Sequence, residues 1–202
     1  VLSEESEGIT TEERLTWDRF WLVDPLDGTK EFVKKTGQFT VNIAFIENGE
    51  ATLGVVLAPA SDLEFFAIRD KGAFKRIRQT DPVRIKVSKA DKNKLRIVAS
   101  RDHAGPKIVT LLEKLPTAEL VSMGSSLKFC LIAEGQADLY PRFIPTMEWD
   151  TGAAQCILEE AGGSVCTLDG YRLEYAKKEI RNRSIIGAGD PTIDWKALIP
   201  ND

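Results

Sequence analysis

Apolar and polar positions alternate with the period of a β-strand through much of the first half of the 202-residue chain. Residues 39–45 place Phe, Val, Ile and Phe at every second position, with Thr, Asn and Ala between them, and such alternation puts the two sets on opposite faces of a strand. An Asn-Gly turn signal at 48–49, followed by the apolar residues 51–57, predicts a β-hairpin. The runs 63–68 and 83–87 have the composition of further strands. The first half therefore predicts an antiparallel sheet.

Strands and helices alternate in the second half. Residues 95–100 form an apolar run of the parallel type, and residues 108–115 have helical spacing. Residues 124–126 open a helix that continues to residue 133, and 137–140 again resemble a strand. Apolar positions three and four apart predict a helix over 151–161, with two glycines as its C-terminal stop. This alternation predicts an α/β layer.

The two patterns divide the chain near residue 90 into an antiparallel-sheet half, residues 1–90, and an α/β half, residues 91–202, within one compact unit. The formal net charge is −4 and there is no basic block, which argues against binding of a nucleic acid polymer. No apolar run approaches the ~18 residues of a membrane span, and no signal peptide is recognisable. We therefore expect a cytoplasmic protein, with peripheral association with the inner membrane left open, as is the oligomeric state.

The three cysteines, Cys130, Cys156 and Cys166, do not have the spacing of metal ligands. Two of them lie among apolar residues in predicted helices. We expect reduced cysteines in the core of an intracellular protein.

Two carboxylates three residues apart follow the short apolar run 20–23, which predicts a buried strand that ends where it reaches a loop. Asp24 and Asp27 can converge on hard cations, which prefer oxygen ligands. Pro25 stiffens the segment between them and could aim the carbonyl oxygen of Leu26 at a metal. The alternative is an ordinary Asp-Pro turn followed by an Asp-Gly turn.

The residues after Asp27 suit a phosphate. Gly28 lets the backbone approach a ligand closely. A helix that starts near Thr29 would present free amide groups to a phosphate oxygen.

Two further acidic positions are ambiguous by themselves. Asp150 precedes the predicted helix 151–161, where a carboxylate serves equally as a helix N-cap, which contributes about 1 kcal/mol, or as a metal ligand. Glu4 follows an apolar pair and by itself is an ordinary solvated acidic residue.

Together, the three acidic blocks resemble the lithium-sensitive, magnesium-dependent phosphatase superfamily, which includes inositol monophosphatase, fructose-1,6-bisphosphatase and the bisphosphate nucleotidases. Its pattern is a Glu-Glu pair, then Asp-Pro-x-Asp-Gly-Thr, then Trp-Asp before a helix that ends in Ala-Gly-Gly, and all three blocks occur here in that order. The resemblance covers essentially the whole chain. Segments 2–5, 21–32, 39–44, 124–130 and 139–143 are similar to the bacterial 3′(2′),5′-bisphosphate nucleotidases of the CysQ type.

The resemblance implies an α/β fold of the layered αβαβα sugar-phosphatase type, two or three Mg²⁺ ions, and a small bisphosphate nucleotide as substrate. The implied metal ligands are Glu4, Asp24, the Leu26 carbonyl, Asp27 and Asp150. The implied catalytic residues are Glu4, Asp27 and Thr29, with Thr29 helping to activate the attacking water. The implied substrate contacts are Gly28, Thr29, Ser100, His103, Gly124, Ser125, Lys128 and Arg142.

Three of these residues also have a physical rationale of their own. His103 is the only histidine and follows an apolar strand in a polar loop, where ligand contacts concentrate; the alternative is an exposed loop histidine. Lys128 lies in an apolar helical run and either extends to solvent or binds a phosphate. Arg142, at a strand end, suits a bidentate phosphate contact or is an ordinary surface residue.

The resemblance also implies helices upstream of the Glu-Glu pair and an upstream acidic residue that orients the nucleophilic water, and neither occurs in this sequence. If the polypeptide starts at Val1, we expect metal and nucleotide binding without hydrolysis. Otherwise we expect hydrolysis of adenosine 3′,5′-bisphosphate to AMP and phosphate. The alternatives are an inositol monophosphatase-like sugar phosphatase and a structural domain with ordinary acidic turns.

Overall fold

A computed structural model describes residues 1–100 and 105–199 of the chain. It contains two main β-sheets, a short two-stranded ribbon and five α-helices. The helices are α1 (Thr11–Arg14), α2 (Thr29–Val33), α3 (Pro106–Lys114), α4 (Leu127–Ala133) and α5 (Gly152–Glu160). None of these helices, in the part of the chain described, has the length and apolar character needed to cross a bilayer.

The first sheet has seven strands in sequence order. They are β1 (Leu2–Ser3), β2 (Arg19–Asp27), β3 (Thr40–Glu47), β4 (Glu50–Ala58), β5 (Leu63–Ile68), β6 (Gly72–Ile77) and β7 (Val83–Ile85). All neighbours are antiparallel except β1, which pairs parallel with β2. The predicted antiparallel sheet and its hairpin at Asn48 are confirmed, whereas β6 had no sequence prediction.

The second sheet has five strands in the order β12-β14-β10-β8-β9. They are β8 (Arg96–Ala99), β9 (Glu119–Ser122), β10 (Leu139–Arg142), β12 (Ser164–Thr167) and β14 (Ile185–Ala188), and the ribbon pairs β11 (Thr146–Met147) with β13 (Arg181–Asn182). The parallel pairing of β8 with β9 and β10 confirms the predicted α/β layer. The strands of the first sheet end at Ile85 and those of the second begin at Arg96, while the division at residue 90 stays a prediction.

The prediction that β2 ends at Asp24 is wrong. The strand continues to Asp27, and its register against β3 shifts between Asp24 and Asp27. Because Pro25 has no N–H for the ladder, the backbone is irregular here without leaving the sheet. Both carboxylates are therefore fixed by a sheet rather than by a free loop.

Alternate residues of β3 face the core of the molecule. Thr40, Asn42, Ala44 and Ile46 are fully buried, while Phe45 packs against Trp21 on the other face, with the ring centroids 5.0 Å apart. Three of these inner residues, Thr40, Asn42 and Ala44, are small and leave room for α5, which lies across β3 and β4.

The helices and sheets form successive layers. On one face of the second sheet, Val98 and Ile185 join the main core with α4 and α5. Helix α4 packs on α5 and the second sheet, and α5 packs on the first sheet. On the other face, Ile97 and Leu139 pack against Leu111 of α3. The described residues thus supply sheet, helix, sheet and helix, which are four of the five layers of the αβαβα arrangement.

All three cysteines are free. Cys130 in α4 and Cys156 in α5 are buried, and Cys166 is partly buried. The core assignment from sequence is confirmed for the first two.

Candidate metal and phosphate site

Three carboxylates converge where the first sheet meets the start of α5. Asp24 and Asp27 come from the irregular end of β2, and Asp150 ends the 3₁₀ turn Glu148–Asp150 that precedes α5. One oxygen from each residue lies within 4.8 Å of the others. Carboxylates this close repel one another, and their all-oxygen donor set suits a hard divalent cation. The convergence predicted for these positions is therefore confirmed.

Burial and mutual repulsion dominate the electrostatics of the cluster. Asp24 is 1% exposed; its Oδ1 accepts a hydrogen bond from the Leu26 amide at 2.9 Å, and its Oδ2 is buried without a partner among the described residues. Burial raises the pKa of Asp24 to about 8, and the charges of Asp27, Asp150 and Glu4 add to this effect. Burial, followed by the charge of Asp27, raises the pKa of Asp150 to about 6. The cluster therefore needs protons or cations, and a bound cation would give Oδ2 its missing partner.

Asp150 is not the N-cap of α5, so that interpretation of the sequence is wrong. Thr151 occupies the cap position, and Asp150 lies one residue earlier, inside the 3₁₀ turn. Its Oδ2 accepts a hydrogen bond from the Met147 amide at 2.6 Å, and no side chain of the described residues caps the first turn of α5.

Glu4 lies at the edge of the cluster. Ser3 pairs in parallel with Val23, and the Glu4 amide donates to the Val23 carbonyl at 3.2 Å. Glu4 therefore lies alongside Asp24. Its charge contributes to the raised pKa values of Asp24 and Asp150, although it is not one of the three converging residues. Metal ligation by Glu4 and by the Leu26 carbonyl stays a prediction.

A cavity of about 350 Å³ opens beside the carboxylates. Most of the predicted site residues line it, namely Asp27, Gly28, Thr29, Ser100, Ser125, Lys128, Arg142 and Asp150. Thr29 begins α2 as predicted, and the preceding Gly28 has a φ of 89°, a left-handed conformation that favours glycine. Gly124 does not line the cavity; its amide donates to Gln38 Oε1 at 3.0 Å. His103 lies outside the described residues.

Comparisons with known proteins agree with this geometry. Residues 1–198 match the model of the inositol monophosphatase family. The chain belongs to this family. It is 47% identical over 179 residues to the 3′(2′),5′-bisphosphate nucleotidase CysQ of Salmonella typhimurium, covering 89% of this chain and 71% of the relative. The crystal structure of CysQ from Bacteroides thetaiotaomicron matches with a TM-score of 0.84 and 39% identity, over 93% of this chain and 76% of that one. An inositol monophosphatase family structure from Thermotoga maritima matches with a TM-score of 0.70 and 27% identity, over 92% and 67% of the two chains.

The cavity of this family member contains a buried cation. Lys128 is 6% exposed; its Nζ donates to the Ser125 carbonyl at 2.6 Å and lies 5.3 Å from the centre of the Tyr140 ring. Burial lowers the pKa of Lys128 to about 8, while the charge of Asp27 opposes that effect. The alternative in which Lys128 extends to solvent is wrong, because the side chain is buried in the first turn of α4 and lines the cavity.

Arg142 and Ser125 complete the polar wall. The Arg142 Nε donates to the Ile144 carbonyl at 3.1 Å, and the residue lines the cavity near Lys128. Ser125 has a φ of 47°, and its buried Oγ has no partner in the described part of the chain. A buried hydroxyl without a partner is costly unless a ligand or water meets it.

Sequence reasoning missed the residues that hold the carboxylates in place. The amide and Oγ of Ser126 lie 2.6 and 2.8 Å from Asp27 Oδ2, and Asn42 Nδ2 and Thr40 Oγ1 each lie 3.3 Å from the same oxygen. Asn42 gave a usable signal, because it is an amide between the apolar residues Val41 and Ile43. Ser126 gave no such signal in the sequence apart from its position next to Ser125.

Proposed function

We propose that this chain is a magnesium-dependent phosphatase that removes the 3′-phosphate of adenosine 3′,5′-bisphosphate to give AMP and phosphate. The observation that carries the proposal is the acidic triad of Asp24, Asp27 and Asp150, two of whose members, Asp27 and Asp150, line the same cavity as the buried cation of Lys128. The name shared by the relatives, 3′(2′),5′-bisphosphate nucleotidase, supports the choice of substrate.

The chain's own residues divide into two groups around the cavity. The carboxylates of Glu4, Asp24, Asp27 and Asp150, with the Leu26 carbonyl, would hold two or three Mg²⁺ ions. When bound, these ions supply positive charge to the phosphoryl oxygens and make a bound water a better nucleophile.

The other residues that line the cavity bind and orient the substrate. The Thr29 hydroxyl, at the exposed start of α2, orients the attacking water. Lys128 and Arg142 provide charge-assisted hydrogen bonds to phosphate oxygens. Gly28 contributes backbone groups, and Ser100 and Ser125 contribute hydroxyl groups, to the lining of the same cavity.

The runner-up is a sugar phosphatase of the inositol monophosphatase type. A substrate with one phosphate is neutralised by the metal site alone, so it does not need further cations in the cavity. Lys128 and Arg142 therefore favour a substrate with a second phosphate. Phosphate release from adenosine 3′,5′-bisphosphate and from inositol 1-phosphate, measured side by side, separates the two activities.

The test is a phosphate-release assay with and without MgCl2, after the intact mass of the purified protein has shown whether residues precede Val1. We expect Asp27→Asn to abolish magnesium-dependent release, and Asp81→Asn, at an exposed position far from the cluster, to retain it. Near-normal turnover by Asp27→Asn would refute the assignment. Magnesium binding without turnover would favour the non-catalytic alternative, and a melting temperature that magnesium does not change would favour a structural domain.

A further inference from the structure

The side chain of Ser126 lies between two of the segments that carry the acidic cluster. It immediately precedes α4 and is buried. Its Oγ lies 2.8 Å from Asp27 Oδ2 at the end of β2 and 2.9 Å from the carbonyl oxygen of Asp150. The residues it connects lie 99 and 24 positions away in sequence, so this contact exists only in the folded chain.

The hydrogen-bonding capacity of the hydroxyl explains why the contact is specific. A serine hydroxyl has one proton to donate and two lone pairs that accept. Asn42 Nδ2 donates to Ser126 Oγ at 2.9 Å, which occupies one of the lone pairs. The single proton is then directed at the two oxygens that remain within reach, the Asp27 carboxylate and the Asp150 carbonyl.

We propose that Ser126 is a positioning residue that fixes the Asp27 carboxylate relative to the Asp150 turn, and thereby sets the affinity of the acidic cluster for its divalent cation. The proposal rests on the cation site of the proposed function. Ser126 itself does not touch the cation or the substrate in this role. It acts through the orientation of the two residues that would.

If Ser126 only stabilised the fold, its replacement would lower the stability of the protein rather than its affinity for the cation. Replacing Ser126 by alanine removes one oxygen atom and leaves its backbone amide, which still donates to Asp27 Oδ2 at 2.6 Å. The fold therefore keeps its main link between β2 and α4, while the hydroxyl link to the Asp150 turn is lost. The expected loss is in cation affinity, since residues that orient metal ligands typically change affinity about 10- to 100-fold when mutated.

The experiment measures Mg²⁺ binding by isothermal titration calorimetry on the EDTA-treated full chain. The variants are Ser126→Ala and Ser126→Cys, which is nearly isosteric but a weak donor. The matched control is Ser88→Ala, because the Ser88 Oγ accepts a hydrogen bond of 2.7 Å from Arg96 far from the carboxylates. We expect both Ser126 variants to raise the Mg²⁺ dissociation constant by about tenfold or more, with far-ultraviolet circular dichroism unchanged and Ser88→Ala equal to the unmodified protein.

The outcomes separate this proposal from the proposed function. If the unmodified protein does not bind Mg²⁺, the cation site itself is wrong. If it binds Mg²⁺ and both Ser126 variants bind it equally well, only the positioning role is wrong. If neither Ser126 variant folds, the hydroxyl is a structural element and the positioning role is again wrong.

Discussion

Asp24→Asn should stabilise the metal-free protein while removing its response to magnesium. In the native chain Asp24 Oδ2 is buried without a hydrogen-bonding partner among the described residues, and burial raises the pKa of this carboxyl from 3.8 to about 8. An asparagine keeps the oxygen that accepts from the Leu26 amide at 2.9 Å. Its new amide group replaces a charge that the neighbouring carboxylates repel.

The size of the effect follows from the pKa shift. The folded-state pKa lies above the unfolded-state value, so the stability associated with the protonated carboxyl is complete below pH 3.8 and is lost as the pH rises to about 8. At about 1.4 kcal/mol per pH unit, the loss at pH 7 is at most about 4 kcal/mol. Because Asp150 also has a raised pKa and its charge acts on Asp24, the two carboxyls titrate together, and we expect a smaller loss of roughly 2 kcal/mol. The asparagine variant does not pay this penalty.

The assay is urea denaturation in EDTA between pH 5 and pH 8.5, followed by thermal unfolding with and without MgCl2. The stability gained by Asp24→Asn should grow as the pH rises. Asp138→Asn is the matched control, because Asp138 is also 1% exposed but its Oδ1 lies 2.6 Å from the Arg96 guanidinium. Its loss leaves Arg96 unpaired, so we expect destabilisation of about 3 kcal/mol. A stability difference for Asp24→Asn that is negative, or that does not change with pH, would refute the reasoning.

Two further substitutions test the substrate wall and the packing beneath the site. Lys128→Met should raise the KM for adenosine 3′,5′-bisphosphate about 10- to 100-fold, because a hydrogen bond to a charged group contributes about 1.5–3 kcal/mol; steady-state kinetics that show an unchanged KM would contradict the phosphate contact. Gly54→Ala should cost about 3 kcal/mol in urea denaturation, because its Cβ would overlap the Ala153 carbonyl oxygen. Gly105→Ala, where nothing lies within 4 Å, is the control, and equal losses would contradict the overlap.

Local chemistry made much of the fold predictable. The Asn-Gly turn between β3 and β4 needs a positive φ at both residues, and the structure shows 51° and 79° at Asn48 and Gly49. The end of α5 is similar, since Gly162 follows the helix with a φ of 97°. In each case the residues that determine the conformation are neighbours in sequence.

The features that were missed or wrong depend on residues far apart in the chain. The continuation of β2 through Pro25 depends on its pairing with β3, which the local Asp-Pro signal does not contain. The direction of the Asp150 carboxylate depends on where the 3₁₀ turn lies relative to α5. The link between Asn42 and Ser126 spans 84 positions, and no local pattern specifies it.

The distribution of unsatisfied polar atoms distinguishes the site from the rest of the interior. Asp138 is buried against Arg96, and the buried Glu148 accepts hydrogen bonds from the Ala176 amide at 3.1 Å and from Lys177 Nζ at 2.6 Å. These groups resemble Asp24 in sequence and in burial, but the fold supplies their partners. Within the described ranges 1–100 and 105–199, the only buried side-chain oxygens without a partner are Asp24 Oδ2 and Ser125 Oγ.

One of those two atoms lies in the acidic cluster, and the other belongs to Ser125, which lines the adjoining cavity together with Asp27, Asp150 and Lys128. Leaving a buried polar atom without a partner costs about 1–3 kcal/mol. Because the fold provides partners for the other buried polar groups, we infer that these two atoms interact with a ligand. A cation at Asp24 and a phosphate oxygen at Ser125 would satisfy both. The unpartnered buried oxygens therefore lie where the proposed ligands bind, and binding of a cation or a phosphate should stabilise the folded state because it gives these atoms partners.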